Sequence, residues 1–304
     1  MKYFFLSILF VCNLCNAQPW SFVAMGDTRG TSSSDPLNES IMSEIANEIV
    51  RQQAEFVIVV GDLAYSGSYT WFSNWKTVMA PVYQAGIPVF PVLGNHDVND
   101  ITSYLSLFKN DLPTNGPAGE TYRTFAYYHK NVLLIGMDNY VTPARVNQTW
   151  LNQVLAQNKL PHVFVYAHQP AFKANHTDCM DDYPANRDVF WTSLINSGCK
   201  IYLCGHDHFY DRLKAGGIYQ MIVGNGGAPI NSSYSYNGNN SSWNPVNQYH
   251  AAQYGYILVT IDGYKVTVSM FERVGAGIYT EKDKWSYLVP DPHPFPPQNM
   301  RTSK

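Results

Sequence analysis

Tyr202-Leu203-Cys204-Gly205-His206-Asp207-His208 is the stretch on which the rest of the chain is organised. An apolar run stops at a glycine, and two histidines follow two residues apart. In extended backbone, residues i and i+2 point to the same side, so two imidazoles here can share one metal. Four more places end an apolar run in a possible ligand: Gly26-Asp27, Gly61-Asp62, Gly94-Asn95-His96-Asp97 and Ala167-His168. Glycine precedes the ligand in four of the five stretches, as sharp turns and close backbone approach require.

Working outward, Ser21–Met25, Phe56–Val60, Ile87–Leu93, His162–Ala167 and Lys200–Cys204 read as buried strands. Helices are predicted between them. Leu37, Ile41, Ile45 and Ile49 recur every four residues, from a start at Asp35-Pro36. Trp71, Trp75, Val78, Met79 and Val82 share one helical face. Trp150 to Leu155 form another, with Asn147 as its cap, and Val189 to Ile195 a fourth, stopped by Gly198. Thr124–His129 and Val132–Met137 flank a tight turn at Lys130-Asn131. Ile218–Val223 is a strand, and Asp262-Gly263 joins Tyr254–Ile261 to Tyr264–Phe271 as a hairpin. Asn231–Asn247 is polar loop, and the tail from Pro290 is irregular. Strand–helix alternation followed by hairpins predicts an α/β chain of two packed sheets with helices outside, as one domain over residues 18–304.

Composition bounds the function. Charged and aromatic residues each make up 14% of the 304 residues, as in a globular protein, and the net charge of -3 does not suit a binder of nucleic acid. Residues 1–17 read as a secretory signal: Lys2, an apolar run from Tyr3 to Val11, and a small residue at Ala17. The expected location is therefore secreted or periplasmic, with no membrane span after cleavage. Export permits disulfides. Cys179 and Cys199 are free to pair or not, and Cys204, inside an apolar run, reads as a buried thiol. Asn38, Asn147, Asn175, Asn231, Asn239 and Asn240 head N-x-S/T patterns.

The order GD, GDxx, GNHD, lone His and GHxH resembles the calcineurin-like metallophosphoesterase superfamily over about Met25 to Pro229. The resemblance implies a four-layer α/β/β/α sandwich with two mixed sheets and two metal ions in its cleft. Many members read Asp-x-His at the first motif, but here the stretch is Asp27-Thr28-Arg29. Purple acid phosphatases supply a tyrosine three residues after the second Asp, and this chain has Tyr65 there, together with Val165 to His168 and the Gly205–His208 motif. Within the superfamily it is most like a small, mammalian-type purple acid phosphatase.

Carried over by position, one ion would be held by Asp27, Asp62, Tyr65 and His208, and the other by Asp62, Asn95, His168 and His206. Hard anionic oxygens suit Fe(III) at the first, and neutral imidazoles with an amide oxygen suit Zn, Fe or Mn at the second. His96 is expected to contact phosphate and protonate the leaving group. His176 lies near where small purple acid phosphatases keep a second substrate histidine, the alternative being a solvated loop histidine. Asp97 either orients His96 or caps a turn, Asp207 is structural or supports a ligand, and Arg29 binds phosphate or pairs with a carboxylate. The activity implied is an exported acid phosphatase acting on a phosphorylated small molecule or phosphoprotein. A nucleotide phosphodiesterase and a non-catalytic secreted binding protein are the rivals.

Overall fold

The computed structural model describes residues 18–232 and 242–290. The expected signal segment, most of the polar loop and the Pro-rich tail beyond Pro290 lie outside these. In chain order come β1 (Trp20–Met25), a ribbon of β2 (Arg29–Ser32) and β3 (Asp35–Leu37), α1 (Glu39–Arg51) and β4 (Val57–Val59). Next are α2 (Tyr69–Val78), α3 (Ala80–Gln84), β5 (Val89–Pro91), α4 (Ile101–Phe108), β6 (Phe125–His129) and β7 (Val132–Gly136). Then follow α5 (Gln148–Gln157), β8 (His162–Tyr166), α6 (Pro184–Asn196) and β9 (Ile201–Cys204). The rest is strand: β10 (Tyr210–Ala215), β11 (Ile218–Val223), β12 (Val246–Ala251), β13 (Gly255–Asp262), β14 (Lys265–Gly275) and β15 (Ile278–Leu288).

Two mixed sheets result, ordered β15-β14-β13-β1-β4-β5 and β12-β10-β11-β9-β8-β7-β6. Strands β1, β4 and β5 run parallel in the first, and β7, β8, β9 and β11 in the second. The apolar runs are explained by burial on both faces. Along β7, Val132 and Leu134 enter the core between the sheets, while Leu133 and Ile135 pack beneath the outer helices α5 and α6. Phe22 stacks on Phe56 at 4.7 Å within the first sheet and meets Phe164 of the second edge-on at 5.1 Å. Such aromatic pairs add about 0.5–1.5 kcal/mol beyond their burial. Helices cover the outer faces, which gives the expected four layers. No helix among the described residues is long and apolar enough to cross a membrane.

Several boundaries differ from the sequence reading. Helix α1 starts after Asn38, whose side chain accepts from Ile41 N at 3.3 Å, and Asp35-Pro36 belong to the β3 ribbon instead. An Asn cap satisfies an orphan N–H, which proline at the first position does not. The face running from Trp71 to Val82 is split into two helices at Met79, because Pro81 cannot continue the hydrogen-bond ladder of α2. Cys179, Cys199 and Cys204 are all free and buried, so Cys179 and Cys199 do not pair. Gly198 ends α6 at φ 79°, and Gly263 turns the β13–β14 hairpin at φ 58°, both as expected.

Candidate metal centre

The ligand candidates leave their strands through unusual backbone. Asp27, Asp62 and His206 have φ of 52°, 53° and 70°. Aspartate tolerates this left-handed region better than most residues, and each turn is tied down. Asp27 N donates to Gly61 O at 2.9 Å, His96 N to Asp62 Oδ1 at 3.0 Å, and His206 N to Asp27 Oδ1 at 3.0 Å. The glycines make room for this. A Cβ on Gly94 would stand 2.1 Å from Asp62 Oδ1, and one on Gly205 would stand 2.2 Å from Asp27 Oδ2.

The side chains meet in two adjoining groups. In one, Asn95 Oδ1 lies 3.0 Å from His168 Nε2 and 3.0 Å from His206 Nδ1, with Asp62 Oδ1 3.5 Å from His168 Nε2. His168 Nδ1 faces the Val60 carbonyl at 2.7 Å and so carries the proton, which leaves Nε2 as a lone pair. His206 Nε2 faces Asp178 Oδ1 at 3.3 Å. The Asn95 oxygen thus meets an imidazole nitrogen of each histidine at 3.0 Å, and these three atoms are of the types that hold a cation. In the other group, His208 Nδ1 faces Pro229 O at 3.1 Å and its Nε2 lies 3.8 Å from Asp27 Oδ1. Ligand atoms of Asp27, Asp62 and His168 all fall within 4.8 Å of one another, so the groups adjoin. This donor set fits a metal centre.

Electrostatics support the same reading. Burial, then the neighbouring Asp62, raises the Asp27 carboxyl well above its usual range. Burial also pushes Asp62 upward, but His168 and His96 outweigh it and leave Asp62 below the usual range. Burial pulls both His168 and His208 down to about 4, so their rings are neutral, the form that binds metal.

His96 and His176 flank these groups. His96 turns Nδ1 to the Tyr65 carbonyl, and its Nε2 lies 3.9 Å from Asp62 Oδ2. His176 is half-buried, its side chain 36% exposed. Its ring centre is 4.3 Å from that of His206, and its Nδ1 is 2.6 Å from Asp207 Oδ1. Asp207 also accepts the His176 backbone N–H at 2.8 Å, so its role is to fix His176. Asp97 makes its bonds elsewhere than to the His96 ring. Its carboxylate accepts from Gly94 N at 2.8 Å and Leu63 N at 3.0 Å, binding the β4 and β5 loops together.

The Tyr65 ring lies 5.8 Å from the His96 ring and 6.5 Å from Trp71. Among the described residues, no hydrogen bond joins its hydroxyl to Asp27, Asp62 or His208. Arg29 reaches this group, with Nε 3.6 Å from Asp62 Oδ2 and Nη2 3.4 Å from His208 Nε2. Two residues escaped the sequence reading. Asp178 has no motif around it. Tyr140 follows the end of β7 as the ligands follow theirs, and that was its only signal. Its ring centre is 6.2 Å from that of His168, and its hydroxyl is buried without a hydrogen-bonding partner.

Known proteins resemble this chain. Tartrate-resistant acid phosphatase type 5 of Rattus norvegicus is 26% identical over 241 residues, 67% of this chain and 72% of that protein. Its Mus musculus counterpart is 25% identical over 240 residues, with the same shares. Two solved structures share the fold. Purple acid phosphatase PPD1 from yellow lupin (Lupinus luteus) seeds superposes with a TM-score of 0.69 at 14% identity. The match covers 88% of this chain and 53% of the lupin chain, about half its length. GAP50, the anchor in the inner membrane complex of Plasmodium, gives 0.67 at 13% identity, covering 90% of both chains. Residues 21–210 match the family described as calcineurin-like phosphoesterase, and with its two mixed sheets and its strand-end carboxylates and histidines the chain belongs to that family.

Proposed function

We propose that this chain is an exported acid phosphatase that hydrolyses phosphate monoesters at a centre of two metal ions. The family fold binds a dinuclear metal centre, and the Asp–His cluster of this chain fits one. The observation that carries the reading is the convergence of Asn95 Oδ1, His168 Nε2 and His206 Nδ1 beside Asp27, Asp62 and His208, with two further histidines alongside. Asp62, Asn95, His168 and His206 would hold one ion, and Asp27, Asp62 and His208 the other, with Tyr65 completing it as a ferric ligand. Fe(III) with Zn, Fe or Mn is the pair this donor set suits. Such ions supply charge neutralisation for the phosphoryl group and acidify a water nucleophile.

The chain's own groups do the rest. His96 has its Nδ1 engaged by a carbonyl, so its Nε2 is the atom that passes a proton to the leaving oxygen. Asp207 accepts a hydrogen bond from the His176 ring and raises its pKa above the ordinary value, which keeps that ring cationic in mild acid, where it holds a phosphoryl oxygen. The 26% identical acid phosphatase of rat supports monoesters as the substrate class, from phosphorylated small molecules to phosphoproteins. Export rests on residues 1–17, and the mature protein would begin at Gln18 as one domain.

The test compares p-nitrophenyl phosphate with bis-p-nitrophenyl phosphate on protein with counted metals. Faster turnover of the diester moves the reading to a phosphodiesterase, and turnover of neither moves it to a binding protein. A visible band lost in Tyr65→Phe supports the ferric tyrosinate, whereas a colourless protein with two divalent ions removes Tyr65 from the ligand set. An N-terminus at Gln18 on secreted protein supports export.

A further inference from the structure

We propose that the Arg29 guanidinium is the protein's own cation in the Asp27–Asp62–His208 half of the centre. An incoming ion must displace it there, so the Asn95–His168–His206 half fills first. This rests on the dinuclear reading above.

Arg29 stands two residues after Asp27. Its backbone is fixed, because Arg29 N donates to Asp62 O at 3.2 Å and a Cβ on the next residue, Gly30, would stand 1.9 Å from Asp35 O. From that anchor the guanidinium reaches inward. Nη1 donates to Gly30 O at 3.1 Å, and Nη2 lies 3.4 Å from His208 Nε2. That nitrogen is a lone pair, since His208 Nδ1 is engaged by Pro229 O. Arg29 therefore uses the electron pair that His208 would give a metal. Nε lies 3.6 Å from Asp62 Oδ2 and is buried with no hydrogen-bond partner of its own. Its place is set by charge more than by hydrogen bonding, and charge is what a metal would take over.

The other half differs. Asn95 Oδ1 lies 3.0 Å from both His168 Nε2 and His206 Nδ1, and Arg29 is not among them. A guanidinium cannot lose its proton to make way for an ion. Two positive charges a few ångströms apart in a pocket poor in water repel strongly. Arg29 must swing out, and its side chain, 15% exposed, already reaches solvent.

The experiment uses the full mature chain, stripped of metal with chelator and titrated with Zn2+ by calorimetry, with bound zinc counted by mass spectrometry. Wild type should bind two ions in steps separated by about 100-fold. Asn95→Ala should remove the tight step. Arg29→Gln should tighten the weak step by about 10-fold or more and leave the tight step within about threefold. Arg29→Lys, which keeps the charge, should keep the separation, and melting curves check that each variant folds. A weak step unchanged in both Arg29→Gln and Arg29→Ala overturns the proposal. So does a tight step lost in His208→Ala and kept in Asn95→Ala. Zinc bound by no variant sinks the dinuclear reading and this inference with it. Two ions bound as described without monoesterase activity sinks the acid phosphatase and supports the loading order.

Discussion

His206 Nδ1 stands 3.0 Å from Asn95 Oδ1 while the opposite ring nitrogen faces Asp178 Oδ1 at 3.3 Å. A carboxylate behind a ligating histidine fixes its tautomer and strengthens its lone pair. Asp178→Ala should weaken metal binding by about 10–100-fold with little change in melting temperature of the metal-free protein. Competition with a zinc indicator measures it, and unchanged affinity would show that His206 is oriented by its backbone turn alone.

Asp62 is shared by both groups of ligands, 3.5 Å from His168 on one side and 3.6 Å from Arg29 on the other. Asp62→Asn should lose both ions and lower activity by at least about 10³-fold. Metal counting beside the assay checks it, and full activity with two ions would end the shared-ligand assignment.

His96 tests the proton-transfer role separately from metal binding. His96→Ala should keep both ions and lose about 10²–10⁴-fold in kcat. The loss should be smallest for p-nitrophenyl phosphate, whose leaving group needs no proton, and largest for an alkyl phosphate. An equal loss on both substrates would reassign His96 to binding.

The pH dependence follows from His168 and His208. Their folded values are pulled to about 4 by burial, against about 6.5 unfolded. Between those values the unfolded chain takes up protons that the folded, metal-free chain refuses. The share of stability from these two rings is therefore full above about pH 6.5 and falls as pH drops toward 4, while the raised Asp27 carboxyl acts in the opposite direction. Melting of metal-free protein at pH 7.5, 6 and 5 should show the decline, and Asp27→Asn should steepen it. A profile that stays flat in Asp27→Asn as well would mean that these rings are not held neutral.

Gly94→Ala should damage folding and chemistry together. The added carbon would meet Asp62 Oδ1 at 2.1 Å and the Asp62 backbone N at 2.3 Å, so the turn after β4 must shift with its carboxylate. Weaker metal binding with a lowered melting temperature is the expected pair of results, and a melting temperature unchanged from wild type would show that the turn yields without cost.

Much of this was legible because strands buried on both faces leave unbroken apolar runs, as in β8 and β9, and the chain must turn where each run ends. The site motifs sit at those turns. Strand β15 was not legible because it is mostly exposed along its length, with only Asp283 buried, and so shows no apolar alternation. Helix α4 was missed as a short apolar stretch, Ile101–Phe108, too brief for a period to declare itself. Arg29 was visible as a departure, but its direction was not. Whether a guanidinium turns to solvent or to a buried carboxylate depends on the β2–β3 ribbon, which pairs through only Arg29–Leu37 and Ser32–Asp35. Asp178 was silent because its loop meets His206 only through the folding of two distant segments.

Asp27, Asp62 and His206 hold left-handed backbone at the points where the chemistry would be done. Glycine at any of them would relieve about 1–3 kcal/mol of strain and delete a ligand in the same step. A lineage released from selection for the reaction therefore has an inexpensive route to a sturdier protein. Decayed copies of this fold should lose these positions early and persist as durable scaffolds available for other work.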